Sequence, residues 1–229
     1  MNKDIVYHPT LGAVLAEAVR GKSVGRTLTN LFWRGREPLG GSILDIGGAG
    51  RGSHYRFIRF APNARVQVVD REAGQGTDFV LDITKERVPL PDSSQNHIFL
   101  FNILEHLASP DTALREAHRL LRNGGTVNGT IPFLLNVHRN PEDYARYTDT
   151  ALAALFARNG FAVKEIEPIG RGPFLAAYEQ LDMLLWSPLH LLFLPIIWSL
   201  DGLLSLLRSE RNLGAQFPLF YNFIVEKQV

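Results

Sequence analysis

The chain has 229 residues, a formal net charge of +1 at pH 7 and no cysteine. Its 45% hydrophobic and 21% charged residues are typical of a globular protein and exclude the disordered and fibrous classes. The near-zero net charge disfavours nucleic acid as the main partner, and the lack of cysteine excludes disulfide frameworks and thiolate metal sites. The N-terminus, Met1-Asn2-Lys3-Asp4-Ile5, lacks an apolar stretch next to a cleavage site, so we expect no signal peptide and a cytoplasmic protein, with a peripheral membrane contact left open below.

Residues 1–40 predict two short helices, near residues 10–20 and 24–33, which together form an N-terminal helical cap. Strands and helices then alternate as far as residue 169. The predicted strands are residues 42–46, 66–70, 79–82, 97–101, 126–131 and 161–169, and the predicted helices between them are residues 52–60, 109–123 and 148–159. This alternation predicts an α/β fold in which helices cover both faces of a mostly parallel sheet.

A long apolar helical region over residues 174–208 interrupts this pattern before a last predicted strand at residues 218–226. Because that strand follows an irregular insert, we expect it to join the sheet antiparallel at the edge.

A glycine-rich loop follows the first predicted strand, in the segment Leu44-Asp45-Ile46-Gly47-Gly48-Ala49-Gly50-Arg51-Gly52. A tight glycine turn before a helix lets the backbone approach a ligand closely. Asp70 ends the second strand, where doubly wound folds place an acid on ribose hydroxyls, and Asp82 ends the third, within reach of an adenine amine. Asp45 distinguishes between cofactors, because a carboxylate repels the pyrophosphate of a dinucleotide and attracts the ammonium and sulfonium of S-adenosylmethionine.

These motifs resemble those of the class I S-adenosylmethionine-dependent methyltransferases, in their small-molecule branch. Leu44–Gly52 is similar to the first family motif, and the segment Asn102-Ile103-Leu104-Glu105-His106-Leu107 is similar to a later one. The resemblance covers about residues 40–170 and 217–227. It implies a Rossmann-like seven-stranded methyltransferase sheet, mostly parallel with an antiparallel last strand, plus N-terminal helices and an apolar helical insert.

On this resemblance we interpret the chain as a single methyltransferase domain. Its parts are an N-terminal helical cap at residues 1–40, a cofactor-binding core at residues 41–170, an apolar helical insert at residues 171–215 and the last strand at residues 216–229.

The resemblance also implies that the cofactor is S-adenosyl-L-methionine and that its methyl group passes to a small molecule by in-line displacement. Asp45, with the backbone of Gly47, Gly48, Ala49 and Gly50, is expected to hold the methionine part. The other expected cofactor-binding residues are Asp70 and Arg71 at the ribose, Asp82 and Ile83 near adenine, and Asn102 and Ile103 after the fourth strand. Ala49 and Arg51 occupy the family's second and third glycine positions, so Arg51 either pairs with the cofactor carboxylate or points to solvent.

The segment after the fifth strand, residues 135–148, holds the candidate acceptor-site residues. Loops at the carboxyl ends of parallel strands face the ligand crevice, so His138 is a candidate general base there. Tyr144, Arg146 and Tyr147 are candidates for binding the acceptor. The alternative is that His138 and Asp143 only lock the loop by hydrogen bonds. A metal site made from His138, Glu142, Asp143 and Asp149 fits no metal-binding spacing, so no metal is predicted.

The apolar insert contains an uncharged stretch, residues 183–200, that reaches the length of a membrane span. Pro188 and Pro195 are expected to interrupt the helix, and the last strand must return to the same sheet, so we do not expect a span. Three readings remain: a lid over the acceptor pocket, a homodimer interface, or a peripheral membrane contact through residues 174–208. All three favour an apolar acceptor.

Two other functions remain open at the level of sequence. A nicotinamide-dependent oxidoreductase would share the fold and Asp70, although Asp45 argues against a pyrophosphate. A non-catalytic, membrane-associated interaction protein could bind the cofactor and work through the apolar insert.

Overall fold

The computed structural model describes residues 9–18, 20, 23–48, 53–181 and 187–228. The helices are α1 (Leu11–Ala18), α2 (Val24–Arg34), α3 (Pro110–Leu120), α4 (Asp149–Arg158), α5 (Pro173–Leu181), α6 (Ser187–Leu207) and α7 (Leu213–Gln216). The strands are β1 (Ser42–Ile46), β2 (Arg65–Asp70), β3 (Phe79–Val80), β4 (Gln95–Phe101), β5 (Leu121–Pro132), β6 (Phe161–Gly170) and β7 (Pro218–Lys227). Two short 3₁₀ turns lie at Ser53–Arg56 and Leu104–His106.

The seven strands form one sheet in the order β3-β2-β1-β4-β5-β7-β6. The pairs β1–β2, β1–β4, β2–β3 and β4–β5 are parallel, and the β5-β7-β6 part is antiparallel. The Rossmann-like, mostly parallel sheet with an antiparallel last strand is therefore confirmed. Since the order reverses between β1 and β4, the carboxyl ends of these two strands border the crevice in which such sheets bind ligands.

The expected position of the last strand is wrong, because β7 lies between β5 and β6 and not at the edge of the sheet. The first six residues of β7, Pro218–Phe223, are all buried. A strand that is apolar along this length is most stable with neighbours on both sides, whereas edge strands are short or charged.

Two of the predicted helices, at residues 52–60 and 109–123, are shorter in the structure than expected. The helix expected at residues 52–60 is only the 3₁₀ turn Ser53–Arg56, because the chain then leaves it and Phe60 pairs with Leu39 in a parallel bridge. The helix expected to end at Gly124-Gly125 ends at Leu120. There the amides of Ser93 and Ser94 donate to the carbonyls at its end, 2.9 Å away in each case, and β5 begins at once.

Local capping signals are better predictors. Thr148 caps α4 as expected, since its side chain accepts from the amide of Ala151. Pro110 begins α3, but Ser109 makes no side-chain cap bond.

The helix expected over residues 174–208 is two helices, α5 and α6, and α6 continues through Pro195. The carbonyl freed by that proline belongs to Leu191, which is exposed, so water can satisfy it.

The residues group into two compact units. One contains residues 1–35, 132–136 and 167–221, with a core that includes Val14, Phe32, Leu175 and Leu194. The other contains residues 36–131, 137–166 and 222–229, and β1–β4 with α3 and α4 form its framework. The division of a single domain at residues 40, 170 and 215 stays a prediction.

Within the described part of the chain, no helix has both the length and the apolar character needed to cross a bilayer.

Candidate active site

The turn after β1 has the close-approach geometry that the glycine pattern predicts. Gly47 has φ +75°, and its amide donates to the carbonyl of Val69 at 2.8 Å. A Cβ atom on Gly47 would lie 2.0 Å from Ile103 Cδ1, and one on Gly48 would lie 2.2 Å from Asp45 Oδ2. Glycine is therefore favoured at Gly47 by its left-handed backbone, and a side chain on either glycine would displace Ile103 or Asp45.

Asp45 is the penultimate residue of β1, just before this turn, and is 1% exposed. Its Oδ2 accepts a hydrogen bond from the Tyr55 hydroxyl at 2.5 Å and lies 3.1 Å from His54 Nε2. Its Oδ1 is equally buried and accepts no hydrogen bond from the described residues. A buried carboxylate oxygen without a donor is costly, and it is a ready acceptor for a cationic ligand.

His54 and Tyr55 hold the Asp45 side chain from the 3₁₀ turn after the glycine loop. The imidazole of His54 stacks between the rings of Tyr55 and Phe101, at centroid distances of 4.7 and 4.4 Å. These rings fix the side of the carboxylate that faces them, which leaves Oδ1 for another partner. The sequence prediction missed this pair; the available signal was the position of two polar rings directly behind the glycine loop.

Asn102 and Ile103 follow β4 at the same end of the sheet. Asn102 has φ +56°, and its amide donates to the Thr130 carbonyl at 2.8 Å, which fixes the turn. Asparagine tolerates this left-handed conformation better than most residues do. Its Oδ1 is buried and accepts no hydrogen bond from the described residues. Ile103 packs on the Gly47 turn, and the expected contacts of Asn102 and Ile103 with the cofactor stay predictions.

The predicted ribose and adenine residues follow β2 and β3. Asp70 ends β2 and accepts from the amide of Glu72 at 3.1 Å, while Arg71 is exposed. Asp82 accepts from both the amide and the hydroxyl of Thr84, and these bonds, chiefly the hydroxyl one, lower its pKa. Its other oxygen lies 3.3 Å from Lys85 Nζ. Asp82 is thus an ionised turn-capping residue beside buried Ile83, and its contact with adenine stays a prediction.

The loop after β5 is held together by Asp143. Arg146 donates to both carboxylate oxygens of Asp143, and the backbone amide of His138 donates to Oδ2 at 3.0 Å. The Arg146 bonds hold the pKa of Asp143 at about 2. Since the guanidinium of Arg146 is directed at Asp143, the loop-locking alternative has direct support. Of the other predicted acceptor-binding residues, Tyr144 is exposed and Tyr147 is partly buried, which raises the pKa of its hydroxyl.

Glu105, which the sequence prediction assigned no role, lies at the centre of this part of the site. It is 0% exposed, and burial raises the pKa of its carboxyl to about 8. Neither of its oxygens accepts a hydrogen bond from the described residues. His106 Nε2 and His138 Nε2 lie 3.8 and 4.0 Å from Glu105 Oε1. The structure thus places the proposed base, His138, beside a buried carboxyl group on the neighbouring turn.

Part of the predicted site lies outside the described residues, namely Ala49, Gly50 and Arg51. Their predicted contacts with the cofactor stay predictions.

Comparison with protein families matches residues 44–128 to a family described as a methyltransferase domain. A ubiquinone biosynthesis O-methyltransferase of Pseudomonas aeruginosa (strain UCBPP-PA14) is 32% identical over 108 residues, which are 46% of this chain and 44% of that protein. A ubiquinone/menaquinone biosynthesis C-methyltransferase of Paracoccus denitrificans (strain Pd 1222) is 35% identical over 101 residues, 38% of this chain and 40% of that protein. The chain therefore spans less than half the length of the curated relatives it matches.

Two solved structures have the same fold. A putative methyltransferase in complex with the Haloferax volcanii Trm112 methyltransferase activator has a TM-score of 0.56 at 17% identity and covers 94% of this chain and 98% of its own. The Burkholderia thailandensis 1,6-didemethyltoxoflavin-N1-methyltransferase, solved with bound 1,6-didemethyltoxoflavin and S-adenosylhomocysteine, has a TM-score of 0.51 at 14% identity, with 95% and 79% covered. At these identities the likeness concerns the fold alone.

Proposed function

We propose that this chain, a member of the class I S-adenosylmethionine-dependent methyltransferases, transfers a methyl group from S-adenosylmethionine to a small-molecule acceptor. The observation that carries the proposal is Asp45 Oδ1, a buried carboxylate oxygen without a hydrogen-bond donor among the described residues, next to a turn that has a left-handed glycine at Gly47. S-Adenosylmethionine supplies a methyl group that the positive charge on sulfur activates for in-line displacement.

The residues around the turn have separate parts in binding. Asp45 accepts hydrogen bonds from the ammonium group, and Gly47 and Gly48 leave the space that a close approach requires. Asp70 binds the ribose hydroxyls beside Arg71, while Asp82 and Ile83 line the adenine end. Asn102 and Ile103 close the crevice from the β4 side. A pyrophosphate at this position would meet the Asp45 carboxylate, which disfavours the oxidoreductase alternative.

His138 is our proposed general base, with Tyr144, Arg146 and Tyr147 at the acceptor. His138 is 37% exposed and carries the only imidazole in this loop, residues 135–148. Arg146 acts through Asp143, since it holds the carboxylate that in turn binds the His138 amide. We further propose that the acceptor is small and apolar; the matched relatives are named for ubiquinone biosynthesis, so phenolic and quinone-like compounds are the first acceptors to assay.

Replacement of Asp70 by alanine tests the cofactor assignment. We expect wild-type protein to bind S-adenosylhomocysteine with micromolar affinity, on the order of −8 kcal/mol, in isothermal titration calorimetry. Asp70→Ala should weaken binding about 10- to 100-fold, because hydrogen bonds to a charged group contribute about 1.5–3 kcal/mol. The matched control is Glu72→Ala, which removes a nearby exposed carboxylate and should leave the affinity unchanged.

The same titrations separate the other functions. Binding of NAD with no binding of S-adenosylhomocysteine would contradict the methyltransferase assignment and favour the oxidoreductase. Binding of S-adenosylhomocysteine, with no release of it from S-adenosylmethionine across phenolic, quinone-like and amine acceptors, would favour the non-catalytic protein. Strong turnover of a nucleotide or a sugar phosphate would overturn the apolar acceptor.

Helix α6 carries a stripe of exposed leucine and isoleucine side chains, which we name the α6 stripe. Its members recur every three or four residues along one face: Leu189, Leu192, Ile196, Leu200, Leu203 and Leu207. Residues 187–207 contain no lysine or arginine, so this helix lacks the basic face with which interfacial helices attract anionic lipid. Among the proposed roles of the insert, we therefore favour a homodimer contact over a peripheral membrane contact.

A variant of the α6 stripe tests the homodimer. We expect wild-type protein to elute as a dimer in size-exclusion chromatography with light scattering. The triple variant Leu192→Gln, Ile196→Gln, Leu203→Gln should elute as a monomer, because each change replaces exposed apolar surface with a hydrated amide. The control Val163→Gln changes an exposed apolar residue of β6 and should leave the dimer intact. A monomeric wild-type protein that sediments with phosphatidylcholine vesicles would contradict the homodimer and support the membrane contact.

A further inference from the structure

We propose that Glu105, His106 and His138 form a binding site for a divalent transition-metal ion, at which the methyl acceptor is held by an oxygen atom. One ligand atom from each of these residues lies within 4.8 Å of the others. Two imidazole nitrogens and one carboxylate oxygen form a donor set that binds Zn²⁺, Fe²⁺ or Mn²⁺. The role of the ion in methyl transfer rests on the proposed function, whereas the site itself does not.

His106 is already oriented as a metal ligand. Its Nδ1 lies 2.5 Å from the backbone carbonyl of Glu142, a distance at which Nδ1–H donates to that oxygen. The bond fixes the proton on Nδ1 and leaves the lone pair of Nε2 pointing away from the carbonyl. Nε2 lies 3.8 Å from Glu105 Oε1. A second-shell carbonyl of this kind fixes the tautomer and the ring orientation of ligating histidines in many metal sites.

His138 has the matching arrangement through a carboxylate. Its Nδ1 lies 3.7 Å from Asp143 Oδ2, and its Nε2 lies 4.0 Å from Glu105 Oε1. Asp143 is itself fixed by Arg146, so a small shift of the imidazole brings Nδ1–H into hydrogen-bond range. The carboxylate–histidine–metal sequence is a frequent second-shell pattern because the carboxylate makes the imidazole more basic.

The Glu105 side chain is a second, independent indication that this cluster binds an ion. Both of its oxygens are buried and accept no hydrogen bond from the described residues, although two imidazoles face it. Buried carboxylates normally pair with hydrogen-bond donors or coordinate metal ions. The amide of Tyr144 donates to the Glu105 backbone carbonyl at 2.7 Å, which ties the turn of Glu105 to the loop of His138.

The geometry suits a site with open coordination positions. Metal–nitrogen and metal–oxygen bonds of about 2.0–2.2 Å require the three ligand atoms, now within 4.8 Å of one another, to approach by about 0.5–1.5 Å. His138, which is 37% exposed, can make this movement. Three protein ligands leave at least one position for water or an acceptor, as in catalytic rather than structural metal sites. Glu142 and Asp149, which are near in sequence, are not members of this cluster.

The place of the cluster suggests its role. Glu105 follows Ile103, whose side chain packs on the Gly47 turn, so the ion would lie at the crevice end of β4. With the ion bound, His138 Nε2 is a ligand and cannot also accept a proton, so the ion replaces His138 as the group that activates the acceptor. An acceptor hydroxyl bound to the ion loses its proton to water at a lower pH than it does in solution. The oxygen lone pair then forms the bond to the methyl carbon while the carbon–sulfur bond breaks and its electron pair stays on sulfur. The acceptor class is therefore an alcohol or a phenol, methylated on oxygen.

Metal titration of the full chain tests the site without any cofactor. After dialysis against a chelator, the wild-type protein should bind one Zn²⁺ per chain with micromolar or tighter affinity, measured by competition with a chromophoric chelator. Glu105→Gln and His106→Gln should each weaken binding by at least about 100-fold, since each removes a ligand. The control Glu142→Gln alters only an exposed carboxylate and keeps the carbonyl that holds His106, so it should bind as the wild type does.

Two further readouts separate the outcomes. Co²⁺ should give visible absorption bands with the wild type and Glu142→Gln and lose them with the two ligand variants, and thermal unfolding without metal checks that all four proteins are folded. Absence of Zn²⁺ binding by the wild type, or equal binding by all four proteins, would overturn the site. S-Adenosylhomocysteine titrations of the same samples report separately on the proposed function, because Asp45 and Asp70 are unchanged.

Discussion

Asp45→Asn should weaken the binding of S-adenosylhomocysteine by at least about 100-fold, which corresponds to about 2.7 kcal/mol. The wild-type Oδ1 is buried and accepts no hydrogen bond from the described residues, while Oδ2 accepts from Tyr55. Asparagine has one oxygen, which can serve either Tyr55 or the ligand, and it carries no charge to balance the ammonium. Both losses occur in a buried site, where charge-assisted hydrogen bonds are strongest. Isothermal titration calorimetry measures the effect.

Asp78→Asn is the matched control for this experiment. Its carboxylate also accepts a hydrogen bond, from the amide of Val68 at 2.8 Å, but it precedes β3 and lies at the opposite end of the strand from Asp82. We expect its affinity for S-adenosylhomocysteine to stay within about twofold of the wild type. If Asp45→Asn is folded by circular dichroism and binds within threefold of the wild type, the Asp45 carboxylate does not hold the ammonium, and the proposed function loses the observation that carries it.

The parts of the fold that the sequence predicted correctly are those that depend on residues close together along the chain. The Thr148 cap and the Gly47 turn follow from one side chain or one backbone angle. The proposed role of Asp45 was inferred from charge alone, because a carboxylate before a glycine turn discriminates between an anionic and a cationic ligand; it stays a prediction. Strand alternation was sufficient for the mostly parallel sheet, since right-handed crossovers leave few alternatives.

The parts that the sequence did not predict depend on contacts between distant segments. Glu105 and His138 are 33 residues apart, and their approach requires the turn after β4 and the loop after β5 to meet. The partners of Asp45 were missed because the expected helix at residues 52–60 would have directed His54 and Tyr55 differently from the short 3₁₀ turn. The interior position of β7 follows from burial on both of its faces, which an apolar strand after an irregular insert does not reveal.

The close packing of the backbone around Gly129, in the unit that holds β1–β4, is also invisible in the sequence. Gly129 lies in β5 opposite Leu100 of β4, and a Cβ atom built on it would lie 2.2 Å from the Leu100 carbonyl oxygen. The same atom would lie 2.4 Å from Cζ of Phe223 in β7, whose ring is fully buried. Neither contact can be inferred without knowing which strands are neighbours. Once the neighbours are known, replacement of Gly129 is expected to destabilise the fold strongly.

Gly129→Ala should lower the free energy of unfolding by about 3 kcal/mol or more, at the upper end of the cost of overpacking a core. The Leu100 oxygen belongs to the backbone of a central strand and cannot move without disturbing the β4–β5 pairing. Chemical denaturation in urea, followed by circular dichroism, measures the change as a lower midpoint. Because the altered atoms lie in the sheet and not at the glycine turn, the folded fraction should still bind S-adenosylhomocysteine.

Gly124→Ala, in the same strand, separates steric clash from backbone strain. Gly124 has φ +74°, but a Cβ atom there meets nothing within 4 Å, so only the left-handed backbone conformation is penalised, by about 1–2 kcal/mol. Adding Phe223→Leu to Gly129→Ala should recover part of the lost stability, because it removes the clash with the Phe223 ring. The recovery should be incomplete, because the clash with the Leu100 carbonyl remains. Equal midpoints for Gly129→Ala and the wild type would show that β4, β5 and β7 do not pack in this register.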